Sequence, residues 1–342
     1  MQAGRIVKVQ LPGHLVSAMD GFINGSADYS GRDEVLADAL AAFLSEAGVS
    51  APEQMTLPMI ASITPKTMPG SLRGVEPLEA VIAATTLEIH AAPEGTSIIE
   101  TVEGLPREQF TWGLHNRDFP TVWAAFHLGA ATAAEGGPVP FLEWQTRLAR
   151  TAWQISLGLQ GDSTFDLSGF PINAQKATKA EARFLSFFVG AADGTGPIFD
   201  LALAGIDTAG CCALTAPGVQ VLRALEGWDN RVDVPQTAAR CGAWLMHLAQ
   251  WAPADIDMFI TVIDAIGKGR ANREDVLLDI AEHYQEWSES QVSTNTAAAV
   301  ARLRELGLLE RRQREGRYVV AGSKGWAASQ LDAILSKKEK SA

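Results

Sequence analysis

Val300-Ala301-Arg302-Leu303-Arg304-Glu305-Leu306-Gly307-Leu308-Leu309 decides how the C-terminal part of this 342-residue chain is read. Val300 and Leu303 share one helix face that a core would hold, and Gly307 stands where a left-handed residue closes a helix. Working outward, Ile256–Ile266 reads as a first helix, and Asn272-Arg273-Glu274-Asp275 caps a second that runs to Trp287. Gln291–Leu306 is the third. Beyond Gly307, Leu308-Leu309-Glu310-Arg311-Arg312 and Arg317-Tyr318-Val319-Val320 flank a turn at Glu315-Gly316, the pattern of a hairpin.

Three helices followed by a two-stranded hairpin is the winged helix-turn-helix order, and the 300–309 stretch resembles the recognition-helix exit of MarR-like bacterial regulators. That resemblance implies DNA contact by Gln291, Ser293, Thr294 and Asn295 at the exposed start of the third helix. A hairpin carrying Arg311, Arg312, Arg314 and Arg317 would lie along phosphates. Between 302 and 324 the basic residues 302, 304, 311, 312, 314, 317 and 324 outnumber the acids 305, 310 and 315. The helix itself offers short polar groups and the methyls of Ala297, Ala298 and Ala299. A winged helix kept for protein contacts, its arginines simply solvated, is the competing reading.

At the other end, Arg5-Ile6-Val7-Lys8-Val9-Gln10-Leu11-Pro12 reads as a short strand. Val7, Val9 and Leu11 point to one face and Ile6, Lys8 and Gln10 to the other, because strand side chains alternate. Pro12 ends it. Two amphipathic helices follow, the first over about 13–24 and the second opening at Ser30, with Asp33 at capping-box spacing. The segment is too small to bury its own core and needs a second copy. It resembles the ribbon-helix-helix family, whose strands pair across a dimer and enter the major groove. The resemblance implies Ile6, Lys8 and Gln10 as base readers and Arg5, Ser30, Gly31 and Arg32 at phosphates. The same segment carries Asp20, Asp28, Asp33, Glu34, Asp38 and Glu46, so those few residues must supply its attraction to DNA.

Between the two ends, prolines at 52, 58, 65, 69, 77, 93 and 106 suggest a linker or small irregular domain over 49–115. From 116 the chain turns helical and tryptophan-rich, with helices expected at 118–134, 141–159, 179–189 and 197–204. Cys211-Cys212-Ala213-Leu214-Thr215 then reads as a strand leading through Ala216-Pro217-Gly218 into a helix at 219–225. This resembles the way many winged-helix domains finish, so 116–228 is either an all-helical bundle or a degenerate winged helix. The C-terminal winged helix-turn-helix takes 229–335.

A formal net charge of −12 excludes a broadly basic surface, so any DNA contact comes from local patches. No apolar run reaches the length of a membrane span, no signal-peptide pattern opens the chain, and the three cysteines show no CxxC spacing. A cytoplasmic, nucleoid-associated protein with free thiols is expected. Gly267-Lys268-Gly269 lacks P-loop spacing; GxGxxG, GxSxG and HExxH are absent. The histidines at 14, 90, 115, 127, 247 and 283 are scattered, so no catalytic residues, metal or cofactor are expected and the protein is not read as an enzyme. Sequence alone therefore points to a mainly α chain: an N-terminal dimeric ribbon-helix-helix, then a helical body ending in a winged helix. The function expected is a homodimeric prokaryotic transcriptional regulator binding double-stranded DNA. The alternative is an adaptor of antitoxin or plasmid-partition type, whose helical body binds a protein partner. A ligand-sensing body is a third reading.

Overall fold

A computed structural model describes residues 87–100, 116–159, 161–171, 177–231, 237–310 and 316–321. The chain divides into two units, 1–71 and 72–342, and every described residue lies in the second. The strand and helices expected over 1–48 fall outside the described residues.

The body is mainly helical. Helix α1 (Phe119–Glu135) is buried on every side from Phe119 to Thr132, as expected of a mainly apolar helix at the centre of its neighbours. Pro120 pre-sets its first turn, and Gly136 at φ +69° ends it in the left-handed cap. Strand β1 (Val139–Pro140) leads directly into α2 (Phe141–Gly158), and α3 (Ala177–Phe188) follows. The short α4 (Pro197–Asp200) stops sooner than the apolar run 197–204 suggested. Buried Ala202 takes φ +52°, which breaks the helix and turns the chain into strand β2 (Ala204–Ile206). Strand β3 (Cys211–Leu214) returns antiparallel, with Ala204 opposite Leu214 and Ile206 opposite Cys212. It also pairs with β1, giving the sheet order β1-β3-β2.

Two further helices bridge to the C-terminal part: α5 (Ala216–Ala224), capped by the Thr215 hydroxyl accepting from Gly218 N, and α6 (Ala238–Trp251). Sequence reading had not marked α6, although Cys241, Trp244, Leu245 and Leu248 recur at helical spacing and all are buried. Helices α7 (Pro253–Gly267), α8 (Arg273–His283) and α9 (Glu289–Glu305) come next. Asn272, ahead of α8, bridges Arg317, and Leu309, after α9, bridges Val320, both antiparallel. Segment 317–320 therefore lies between 272 and 309, as β3 lies between β1 and β2. A similar order (helix, short paired segment, two helices, hairpin with its second arm central) occurs twice, the first copy carrying the extra α4 ahead of its hairpin and the second being paired through single bridges.

Part of the proline-rich stretch read as linker is built into this body. Leu87 and Ile89 are fully buried, Ile89 N donates to Trp228 O (2.8 Å), and Ile99 N donates to Leu214 O (2.8 Å). One hydrophobic cluster includes Leu87, α1, the sheet and α5 to α9 through Tyr318. Trp123, Trp144, Trp228 and Trp244 sit inside it, where their large apolar area is removed from water.

Candidate nucleic-acid interface

Helix α9 begins with a full capping box. Ser288 Oγ accepts from Gln291 N at 3.3 Å, and Gln291 Oε1 accepts from Ser288 N at 2.9 Å. The Gln291 side-chain oxygen is thus committed to the cap, although the residue is exposed. Thr294, half-buried, donates its hydroxyl to Ser290 O at 2.7 Å, and Ser293 is half-buried. Asn295 is not on the exposed face expected of it: only 6% of its surface is accessible. The helical repeat explains the correction, since Val292, Asn295, Thr296, Ala299 and Leu303 fall on the stripe that faces the core. What α9 turns outward is Glu289, Ser290, Gln291, Ala297 and parts of Ser293, Thr294, Ala301, Arg304 and Glu305.

The end of α9 is a Schellman cap. Gly307 at φ +74° donates to Arg304 O (3.1 Å), and Leu308 N donates to Leu303 O (2.8 Å). The chain then enters the hairpin, where Glu310 N donates to Val319 O and Tyr318 N donates to Ala271 O. Arg317 is exposed beside it, and the Arg304 guanidinium lies 5.4 Å from the Tyr318 ring centroid. Arg311, Arg312 and Arg314 lie outside the described residues, as do Arg5, Ile6, Lys8, Gln10, Ser30, Gly31 and Arg32. In the first repeat, the equivalent α3 buries Phe184 and Phe188 and exposes Lys179, Ala182 and Ser186. Its hairpin turn is short and acidic, with Asp207 Oδ1 accepting from Ala209 N and Cys211 N.

One member of the basic run is absent from the surface. Arg302 is fully buried: its Nε donates to Asp118 Oδ1 (2.9 Å) and its Nη1 to Asp255 Oδ2 (2.5 Å). The guanidinium also sits 4.9 Å from the Phe259 ring centroid. Burial opposes its charge, but the two carboxylates overcome that opposition and hold the proton more tightly than usual. Three residues on, the Glu305 carboxylate accepts from Asp118 N (2.5 Å) and from Phe119 N (3.4 Å), occupying the start of α1, where Asp118 makes no side-chain cap. Sequence reading counts Arg302 and Glu305 within the charged run 302–324. The available signal was the spacing Ala299-Arg302-Leu303-Leu306, which puts Arg302 on the apolar stripe.

Among the described residues, no cluster of three His, Cys, Asp or Glu side chains is arranged to hold a metal ion. Burial pushes the Cys212 and Cys241 thiols up to about 12, so neither supplies a thiolate at neutral pH. His127 and His247 are buried core residues: Trp144 Nε1 donates to His127 Nδ1 (3.1 Å), and His247 Nε2 donates to Leu201 O (2.7 Å). No helix among the described residues is long and apolar enough to cross a membrane. Comparisons of the chain with protein-family profiles, curated proteins and solved structures return no significant match.

Proposed function

We propose that this chain is a DNA-binding protein, a homodimeric transcriptional regulator whose body uses the winged-helix arrangement twice. The observation that carries this reading is the recurring element order, with the second arm of the hairpin paired on both sides: as strand β3 in the first copy, and through the Asn272–Arg317 and Leu309–Val320 bridges in the second. In winged helices that order presents the third helix to a major groove and the hairpin to phosphates. By analogy of fold, α9 and the 309–320 hairpin are the C-terminal contact, with Arg311, Arg312, Arg314 and Arg317 as its phosphate ligands. The paired N-terminal strands, reading with Ile6, Lys8 and Gln10, would be the other contact, supported by Arg5, Ser30, Gly31 and Arg32 at phosphates.

The test uses the full chain. Duplexes are selected from a random library, and binding is followed between about 50 and 200 mM salt, where phosphate-dominated affinity falls steeply. Neutralising the four hairpin arginines should weaken binding to all sequences alike and flatten the salt slope. Replacing Lys8 and Gln10 with alanine should instead erase sequence preference. Failure to enrich any duplex removes the reading.

A second reading, a protein-binding adaptor, has its own observation. The outward side of α9 offers hydroxyls and methyls, Gln291 is tied up in the cap, and α8 opens with Glu274 and Asp275. Carboxylates at that helix start repel phosphate. Stoichiometric recovery of one protein partner, with no duplex enriched, would favour the adaptor.

A further inference from the structure

Helices α5 and α6 turn matched stripes toward each other. Residues 217, 220, 221 and 224 of α5 and 243, 246, 247 and 250 of α6 share the spacing i, i+3, i+4, i+7, and with Trp251 they line a groove of about 230 Å³. The groove stays open because Ala224 and Ala243 are short. Its walls are mainly apolar and include Met246, a large side chain left 38% exposed. Gln220 and Gln250 add exposed amides, and no charged side chain lines the groove. One polar group in it is neither exposed nor fully partnered. His247 is 8% exposed, its Nε2 donates to Leu201 O at 2.7 Å, and its ring stacks on Trp244 with centroids 5.3 Å apart. The proton therefore sits on Nε2, and Nδ1 is an acceptor. Among the described residues nothing donates to Nδ1, and it is not one of the atoms sealed from solvent. Because His247 lines the groove, Nδ1 opens onto it. Burial lowers the imidazole to about 4, so it stays uncharged at neutral pH.

We propose that this groove binds a neutral aromatic of one or two rings that donates an N–H or O–H to His247 Nδ1, the class that includes phenol and indole. Size agrees with this, since the volume falls short of the roughly 300–1,000 Å³ that takes drug-sized ligands. The Trp251 ring and the Met246 thioether favour a flat aromatic face. An ion would lose its water there with no opposite charge to meet, whereas a neutral donor satisfies an acceptor set in apolar walls. The groove also adjoins elements of both repeats: α5 starts from β3 through Thr215, and α6 passes into α7 through Ala252 alone. The inference does not rest on DNA binding, so it survives or fails separately from the proposed function.

The full chain, without DNA, is titrated by calorimetry with indole and phenol and with their methylated counterparts, 1-methylindole and anisole. At least one of the two donors should saturate with Kd below about 1 mM, the range open to so small a ligand. Its methylated counterpart should bind about tenfold or more weakly, because Nδ1 is then covered without a partner. Ala243→Leu and Ala224→Leu fill the groove from opposite walls and leave the bond from His247 to Leu201 O alone. Each should weaken binding by at least about tenfold. Ala224 is exposed, so its variant keeps the fold and can be read whatever becomes of the other. Two donors that never saturate, equal affinity for the methylated counterpart, or unchanged binding by Ala224→Leu would each overturn the site.

Discussion

Arg302 Nε lies 2.9 Å from Asp118 Oδ1, a hydrogen-bonded ion pair between residues 184 positions apart, with neither side chain exposed. It ties the last helix of the second repeat to the first turn of the first, and Asp255 on α7 completes a carboxylate–guanidinium–carboxylate triad. Removing the cation would leave both carboxylates dry. Arg302→Met should therefore lower unfolding stability by about 3–5 kcal/mol in urea titration, the range for breaking a buried pair from one side. If each carboxylate is made neutral as well (Asp118→Asn, Asp255→Asn), most of that loss should return; no recovery would mean that packing around Phe259, and not charge, sets the effect.

Two buried histidines make the body sensitive to acid. Burial, with the Arg147 charge adding to it, depresses His127 to about 4, and burial does the same to His247 against the opposing pull of the Leu201 carbonyl. Both are neutral in the fold with the proton on Nε2, since Trp144 Nε1 can only donate and a carbonyl can only accept. A depressed histidine favours the fold above its ordinary value of 6.5, and that advantage is lost as pH falls from there towards 4. At pH 5 each should account for about 2 kcal/mol of lost stability. His127→Gln and His247→Gln, whatever they cost at pH 7, should show a shallower decline between pH 7 and 5; equal slopes would contradict the neutral assignment.

Gly218 is required by a backbone neighbour. A Cβ at this position would stand 2.1 Å from Leu203 O and 2.8 Å from Leu203 C, main-chain atoms that cannot rotate away. Gly218→Ala should reduce stability by about 2–3 kcal/mol, measured by denaturant midpoint, through separation of α5 from the segment ahead of β2. An unchanged midpoint would show that α5 can shift freely.

Gln291 separates a capping role from a reading role. Its Oε1 accepts from Ser288 N, so Gln291→Ala and Ser288→Ala should each weaken the body by about 1 kcal/mol. Base preference in the selected duplexes should stay as it was. A changed preference with stability unaltered would return Gln291 to the groove.

Much of the helical framework could be read from residue spacing. Phe119-Pro120 after Asp118, the Gly136 stop, Asn272 and Ser288 as caps, and Gly307 as the end of α9 are local signals, each acting within a turn or two of the chain. Elements that depend on distant partners were less legible. Strands β1 and β2 are too short to alternate visibly and exist because β3 pairs with both, and the body's capture of 87–100 depends on hydrogen bonds to Trp228 and Leu214. The candidate interface divides in the same way. Arg317 kept the exposure expected of it, while Asn295 and Arg302 moved inward because the helix register against α7 and α1 chose their faces.

By itself, then, the sequence determined a mainly α body and the stretches that form most of its helices, although α6 was not marked and α4 and α8 end earlier than the apolar pattern suggested. Propensity, capping and periodicity act between near neighbours, and so they are written in the order of residues. Only the tertiary structure decided that Arg302 leaves the basic run for a dry site between Asp118 and Asp255, and that Glu305 closes the first turn of α1. A charged side chain's surroundings are set by whatever packs against it, and here those groups come from the far end of the chain.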